Sequence, residues 1–321
     1  MMKSVKGKAD NGEVRLGERH SLIYILNKYK VYYLMILPMI IYLIIFSYLP
    51  MGGIIMAFQD FRVARGILRS EFIGLENFID VFTDGMFWGR LRNTVIISVL
   101  KIIFTAPAPI ILALLLNEVN NKLFKRTIQT IVYLPKFVSW VVVASIVSAL
   151  LDIKDGPVNT VLVSLGIISE PMLLTGSKAL FRPLLVITDI WKGVGWGSII
   201  YLATLTSINP EYYEAATIDG ANRLQKTWYI TLPFIKPTFM ILIILSMGSI
   251  LSAGFDQVYV MANTVVMDVG DIIDTYVYRV GLASQRYGYA SAVGLFKSVV
   301  SIMLVTGANW LARKTDNESL F

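Results

Sequence analysis

Residues 211–237 read EYYEAATIDGANRLQKTWYITLPFIKP, a polar and partly helical insert between two strongly apolar stretches. Asn209 and Pro210 precede it and mark a helix start, because asparagine caps free amides and proline suits the first helical position. Glu211 and Glu214 then set negative charge near the positive end of the helix dipole. Tyr212, Ala215, Ala216 and Ile218 supply a small apolar surface, and Gly220, following Asp219, is a helix terminator. A second helical piece over about 223–230 leads to Pro233 and Pro237. Isolated helices shorter than ~12–15 residues are marginal in water, so a helix this short needs something to pack against. The spacing is regular as well: Glu214-Ala215-Ala216, three residues, Gly220, nine residues, Ile230, one residue, then Leu232-Pro233.

Composition says what surrounds the insert. Of 321 residues, 55% are hydrophobic and 16% charged, against roughly 25% charged in an average soluble domain. Several apolar stretches reach the ~20 residues that a helix needs to cross a hydrocarbon core. We expect six, at about 31–58, 94–116, 128–151, 183–208, 238–260 and 288–311. The expected fold is an all-α, polytopic membrane protein: a tail at 1–30, a spanning domain at 31–312 that carries the polar segment 209–237, and a short tail at 313–321. A cleaved signal peptide does not fit, because the first apolar run exceeds the ~7–15 residues of a signal core and Ser47-Tyr48-Leu49-Pro50 is a poor cleavage site. Pro107 and Pro109 predict a kink in the second span. Asp155-Gly156-Pro157 and Thr175-Gly176-Ser177 predict turns.

Cysteine is absent, which excludes disulfides, thiolate nucleophiles and cysteine-bound metals. His20, the only histidine, lies in the charged first tail and reads as a solvated side chain rather than a metal ligand or base. With six spans both termini share a side. Placing the termini, 117–127 and 208–236 together gives fifteen Lys and Arg on that side and ten in the other three loops. The positive-inside rule therefore makes the termini and the insert cytoplasmic. The net charge of +7 records orientation rather than nucleic-acid binding.

Ionisable and aromatic residues inside the spans are the candidates for a pathway, since charge at membrane depth faces a bundle interior or water. Asp189 and Lys192 are three apart on the fourth span and can pair on one face, either as a structural ion pair or as substrate contacts. Trp196 and Tyr201 on the same span, and Asp256 and Gln257 on the fifth, offer a ring face and hydrogen bonds. Aromatic residues near span ends also serve as interfacial anchors. Lys101 in the second span either snorkels or faces a cavity. Gly193, Gly195 and Gly197 permit close helix approach.

Glu-Ala-Ala-x3-Gly-x9-Ile-x-Leu-Pro resembles, without a departure, the EAA signature of permease subunits of binding-protein-dependent ABC importers. Arg92-Asn93-Thr94, Tyr133-Leu134-Pro135 and Trp191 with the glycines after it are similar to the sugar-type, MalF-related permeases. The runs 271–279 (DIIDTYVYR) and 292–297 (AVGLFK) resemble the LplB-like subgroup, whose members import oligosaccharides or polysaccharide fragments, an alginate importer's permease being one candidate. The resemblance, which covers about residue 31 to the end, implies a MetI-like permease fold in a bacterial plasma (inner) membrane. It also implies that the insert is a coupling helix seated on an ATPase. There Glu214 would be a polar contact, Ala215 and Ala216 would allow close approach, Gly220 would make the bend, and Glu211 and Asp219 would flank them. No Gly-x4-Gly-Lys-[Ser/Thr] loop is present. ATP and Mg would thus belong to partner subunits, with no cofactor in this chain. The implied assembly holds two ATP-binding subunits, a second permease and an external solute-binding protein. Two readings compete with it. An ion-coupled secondary transporter would use Asp189, Lys192 or Asp256 as a relay. An intramembrane enzyme lacks the expected constellation: there is no cysteine, no histidine in a span and no pair of acids within one span.

Overall fold

A computed structural model describes residues 28–314. His20, most of the tail expected at 1–30 and the tail after Lys314 lie outside the described residues. The chain divides into two compact units, the first ending at Gly53. In the first, helix α1 (Lys30–Leu43) runs on through a π turn at Ile44–Tyr48 into Leu49–Met51. The wider turn precedes Pro50, which has no amide hydrogen to donate back along the helix.

The second unit begins at Ile54. Its only strands among the described residues are Gln59–Asp60 and Glu71–Phe72, an antiparallel pair with Gln59 opposite Phe72. Among the helices that follow are α2 (Glu76–Thr83), α3 (Gly85–Thr105), α4 (Ala108–Glu118), α5 (Lys122–Tyr133), α6 (Trp140–Leu150) and α7 (Lys178–Thr206), with a further short helix at Pro157–Ser164. After them come α8 (Pro210–Ile218), α9 (Leu232–Met247), α10 (Phe255–Met261), α11 (Ile273–Tyr278) and α12 (Tyr287–Lys314).

Several sequence expectations need correction. Among the described residues, four helical stretches are long and apolar enough to cross a membrane: 30–58, 85–118, 223–247 and 287–314. The second starts at Gly85 rather than near residue 94, because Asp84 caps it by accepting from the Met86 amide at 2.8 Å. Pro107 and Pro109 interrupt it only between Thr105 and Ala108. The third expected span is a bent pair: 122–137 meets α6 at 105°. Pro135 ends the first arm in a 3-10 turn, and Ser139 caps the second by accepting from the Val142 amide. The fifth does not continue to residue 260. Helix stops at Met247, and the backbone turns left-handed at Ala253 (φ 47°) and Gly254 (φ 83°) before α10 begins. The fourth, α7, has 29 residues. It falls outside the four because Asp189, Lys192 and three glycines occupy its middle.

Helix α7 is the hub of this unit, packing on α3, α4, α5 and α9. Glycine allows this. A Cβ on Gly195 would lie 2.0 Å from the Val132 carbonyl oxygen, and one on Gly197 2.8 Å from Pro109. Buried apolar side chains form three clusters rather than one core: around Phe87 and Tyr289, around Phe181 and Val258, and around Ala113 and Tyr201.

The segment between α10 and α12 is tied down by charge. Asp271 is 1% exposed. It takes both Arg279 guanidinium nitrogens at 3.0 and 2.6 Å, Arg90 Nε at 2.7 Å and Thr275 Oγ1 at 2.7 Å. Asn93 donates to the Asp268 and Asp271 carbonyls and accepts from Arg182, while Thr94 Oγ1 accepts from the Ile273 amide. Asp274 pairs with Lys297 at 2.5 Å, and Asp84 accepts from the hydroxyls of Tyr276 and Tyr289. The sequence runs at 92–94, 271–279 and 292–297 are therefore parts of one knot.

Burial alone would raise the Asp271 carboxyl, but hydrogen bonds from Arg279, Thr275 and Arg90 outweigh it and hold the group below the ordinary carboxylate value. A lowered folded-state pKa contributes stability above the unfolded value of about 3.9, lost as pH falls through the folded value. Asp271→Asn should thus destabilise the detergent-solubilised protein by about 1–3 kcal/mol near neutrality, since both arginines keep some access to water. In thermal melts the gap to wild type should close below about pH 4. A gap unchanged in acid would contradict the ion-pair account.

Candidate functional site

The insert folds as the capped helix expected from its sequence. Asn209 Oδ1 accepts from the Glu211 amide at 3.1 Å and Pro210 occupies the first turn. At the other end the Ala221 amide reaches the Ala216 carbonyl at 2.8 Å and the Gly220 amide reaches that of Thr217 at 3.1 Å. This double closure is a Schellman cap, and it needs a left-handed residue. Gly220 supplies it with φ 77°. A Cβ there would meet nothing within 4 Å, so glycine is required by conformation and not by crowding. The chain then reverses into Arg223–Lys226 through a reciprocal capping box in which Asn222 and Gln225 each accept from the other's amide, at 2.9 and 2.8 Å.

None of the nine residues of α8 is buried. Glu211, Glu214, Ala215, Asp219 and Gly220 are exposed, Ala216 is half-buried, and Ile218 is 87% exposed. Two tyrosines anchor the helix to the bundle, and the ring of Tyr212 lies 5.6 Å from that of Phe234 in α9. Tyr213 packs against the cluster of Ala113, Tyr201, Leu205 and Ile235, and its hydroxyl lies 3.0 Å from Thr231 Oγ1. Lys226 Nζ donates to Thr217 Oγ1 at 2.7 Å and Arg223 meets Glu118 at 3.2 Å. Displacement of α8 is thereby linked both to the foot of the 223–247 helix and to the end of α4. The second helical piece continues past Lys226 through a π turn at Thr227–Thr231 straight into α9.

The six pathway candidates do not form one group. Asp189 and Lys192 do not pair. Asp189 lies 3.8 Å from Lys101 of α3, while Lys192 Nζ donates to the carbonyls of Lys136 at 2.8 Å and Val138 at 2.6 Å. Those carbonyls are freed at the 105° elbow, and an ammonium placed there recovers more than a one-turn ion pair can. Gln257 is fully buried and saturated: its amide donates to Leu185 O at 2.7 Å and Thr188 Oγ1 at 2.8 Å, and its oxygen accepts from Lys101. Tyr201 is buried, with its ring beside a cavity of about 290 Å³ that Gly197, Phe239 and Ser246 also line. Trp196 is half-exposed, edge-on to Phe137 at 5.9 Å. Asp256 is exposed.

Sequence reasoning missed the role of Lys101. Its Nζ donates to the Ala253 carbonyl at 3.0 Å and to Gln257 while facing Asp189, so one side chain closes the break between α9 and α10. Ser98, one turn earlier, donates to the Ile250 carbonyl in the same break. The available signal was spacing: Ser98 and Lys101 lie three apart in the otherwise apolar run 95–104, hence on one face.

Residues 105–317 match the family model described as binding-protein-dependent transport system inner membrane component. The protein LplB of Bacillus subtilis (strain 168) is 44% identical over 320 residues, covering both chains fully. The polygalacturonan/rhamnogalacturonan transport system permease protein YteP of the same organism is 44% identical over 304 residues, 95% of this chain and 94% of its own. A crystal structure of a bacterial ABC transporter involved in the import of the acidic polysaccharide alginate includes a chain that superposes with a TM-score of 0.84 at 38% identity, covering 92% of this chain and 99% of that one. A second, of a bacterial alginate ABC transporter in complex with an alginate pentasaccharide-bound periplasmic protein, gives 0.85 at 37%, with 93% and 99% covered.

The geometry around Lys101 makes an asymmetric prediction. Lys101→Met strands the Ala253 carbonyl, the Gln257 oxygen and Asp189 together and should cost about 3 kcal/mol. Asp189→Asn leaves Lys101 its two other acceptors and should cost about 1 kcal/mol or less. Thermal unfolding of the purified variants checks this; equal losses, or a larger loss from Asp189→Asn, would show that the ion pair matters more than the capped break.

Proposed function

The chain belongs to the family of binding-protein-dependent transport system inner membrane components, and from that premise we propose that it is one permease subunit of an ATP-driven importer of an oligosaccharide or polysaccharide fragment. The observation that carries this reading is the complete EAA pattern, folded into a capped helix with no buried residue and linked by Tyr213, Lys226 and Arg223 to the helices behind it. An exposed two-turn helix of this kind is a surface made for a partner. That partner is an ATPase subunit, with Glu214 as the polar contact, Ala215 and Ala216 at the closest approach, and Glu211 and Asp219 flanking. Gly220 fixes the turn by which the element returns to the bundle.

The substrate class follows from relatives whose names carry a polygalacturonan or rhamnogalacturonan and from solved structures with alginate. The rest of the assembly is a second permease, two ATP-binding subunits and an extracytoplasmic solute-binding protein, set in a bacterial plasma membrane. We take the bent pair 122–150 and the polar helix α7 as the remaining two of six spans, with the insert on the cytoplasmic side where the Lys and Arg excess lies. In such a bundle α7, least apolar and most surrounded by neighbours, lines the path between permeases. Asp189, Trp196 and Tyr201 are its candidate polar and aromatic groups. The ion-coupled alternative gains nothing from the geometry, in which Asp189 faces Lys101, Lys192 caps carbonyls and Asp256 is exposed.

Coupling is testable in the reconstituted importer. Gly220→Ala forces about 1 kcal/mol or more of left-handed strain into the cap, and Glu214→Ala removes the polar contact. Each should lower saccharide taken up per ATP hydrolysed by about fivefold or more. Full coupling in both variants, or uptake that survives without the ATPase and collapses with the ion gradient, would overturn the reading.

A further inference from the structure

Between α4 and the foot of the 223–247 helix lies an open groove of about 530 Å³ that neither the bundle nor the coupling element uses. Ile110 of α4 and Leu232, Ile235 and Phe239 of α9 line it, and Lys236 is the one charged residue among its lining. Trp228, in the π turn at Thr227–Thr231, lines the same groove and is 61% exposed. Trp228, Leu232 and Lys236 recur every four residues, so the groove follows one side of the helix.

Two donors in this groove have no acceptor. Among the described residues neither the Lys236 ammonium nor the Trp228 indole N–H makes a hydrogen bond, and Lys236 is in no ion pair. The other lysines on long helices behave differently: Lys101 and Lys192 are held by backbone carbonyls. The basic residues nearer the start of the same helix are also partnered, Arg223 by Glu118 and Lys226 by Thr217. Helical Cα–Cβ bonds lean toward the helix N-terminus, here the end next to the coupling helix, so the stem of Lys236 is directed back over Leu232 toward Trp228. Its carbons then cover apolar surface while the ammonium moves toward the headgroup level. An exposed tryptophan with a free N–H, and a lysine snorkelling toward it, are the residues that mark the boundary between hydrocarbon and headgroups.

We propose that Lys236 and Trp228 hold the phosphate of an anionic phospholipid of the cytoplasmic leaflet, with one acyl chain lying along Ile110, Ile235 and Phe239. The inference rests on the orientation adopted above, which puts the insert and the foot of this helix on the cytoplasmic side. Charge selects the lipid. With no carboxylate in the lining, a zwitterionic headgroup would set its own ammonium near Lys236, whereas an anionic headgroup brings only the complementary charge. The site also has a place in the working of the subunit. Ile235 belongs to the cluster that receives Tyr213, so a lipid in the groove braces the helix on which α8 bears.

The test uses the importer assembled around this chain, purified in detergent and titrated with phosphatidylglycerol or phosphatidylcholine, with retained lipid counted by native mass spectrometry. Lys236→Met, which keeps the apolar stem, should lower phosphatidylglycerol retention by about fivefold or more and leave phosphatidylcholine retention unchanged. Lys236→Arg keeps the charge and should stay within about twofold of wild type, as should Lys122→Met, which removes an exposed lysine at the start of α5. Glycerol 3-phosphate, a headgroup without chains, should not compete. Unchanged phosphatidylglycerol retention in Lys236→Met, an equal loss in Lys236→Arg or Lys122→Met, or displacement by glycerol 3-phosphate would each overturn the lipid site. Loss of assembly in Lys236→Met would assign the groove to a protein partner and overturn it as well. Orientation is read separately: Tyr229→Cys, exposed beside the groove in a chain without cysteine, should react with a membrane-impermeant maleimide only from the cytoplasmic side. Labelling from the external side would overturn the orientation, whichever way lipid retention falls.

Discussion

Inside a membrane every backbone carbonyl freed by an interrupted helix needs a donor from the protein itself. The two main interruptions in this chain meet that demand in the same way. At the 105° elbow between α5 and α6 the carbonyls of Lys136 and Val138 are taken by Lys192, and at the end of α9 the Ala253 carbonyl is taken by Lys101. Ser98 adds a hydroxyl for Ile250. Both lysines reach across from a neighbouring long helix, so each break is fixed relative to α3 or α7 and not left to hinge freely. Lysines on long helices, often a sign of pathway chemistry in such proteins, here hold the architecture.

The two ends of the second unit are built differently. Where the segment 262–283 meets α3 and α12, charge is buried and saturated: Asp271 alone is held by two arginines and a threonine. At the other end α8 has strong local caps, two anchoring tyrosines and a threonine that accepts from Lys226, while Glu211, Glu214, Ala215 and Ile218 are exposed. The first arrangement resists displacement. The second gives a short element a defined shape and a defined attachment while leaving its outer face free, as a part that is pushed by a partner requires. Tyr213 belongs to the same cluster as Tyr201 of α7, so movement of α8 has a packed route to the helix at the centre of the bundle.

How far the sequence reached depends on whether a feature is local. The caps at Asn209 and Gly220 use residues within one turn, and both fold as the spacing implied. Of the three glycines of α7 two read correctly, since Gly195 and Gly197 sit where another backbone or a proline ring leaves no space for a Cβ, whereas a Cβ on Gly193 would meet nothing within 4 Å. The failures concern partners far along the chain. Asp189 and Lys192 satisfy the one-turn pairing rule, yet carbonyls from an elbow more than fifty residues earlier and an ammonium on α3 outcompete it. Gly248-Ser249 directly after Met247 was a helix-end signal within 238–260 that the length of the apolar run outweighed. Nothing in Ser252-Ala253-Gly254 announces that an alanine there adopts a positive φ, which Lys101 and the packing of Ala253 beneath α3 enforce.

The absence of cysteine from the chain makes the central claim directly measurable. A single cysteine introduced by Ala215→Cys, on the exposed face of α8, can be cross-linked in membranes to single cysteines placed around the surface of the ATPase subunit. The account predicts a specific cross-link confined to one groove of the ATPase, with a yield that changes when ATP is trapped by vanadate. No cross-link to any ATPase position, with the assembled complex otherwise intact, would contradict the assignment of residues 211–220 as the place where this subunit receives the work of ATP hydrolysis.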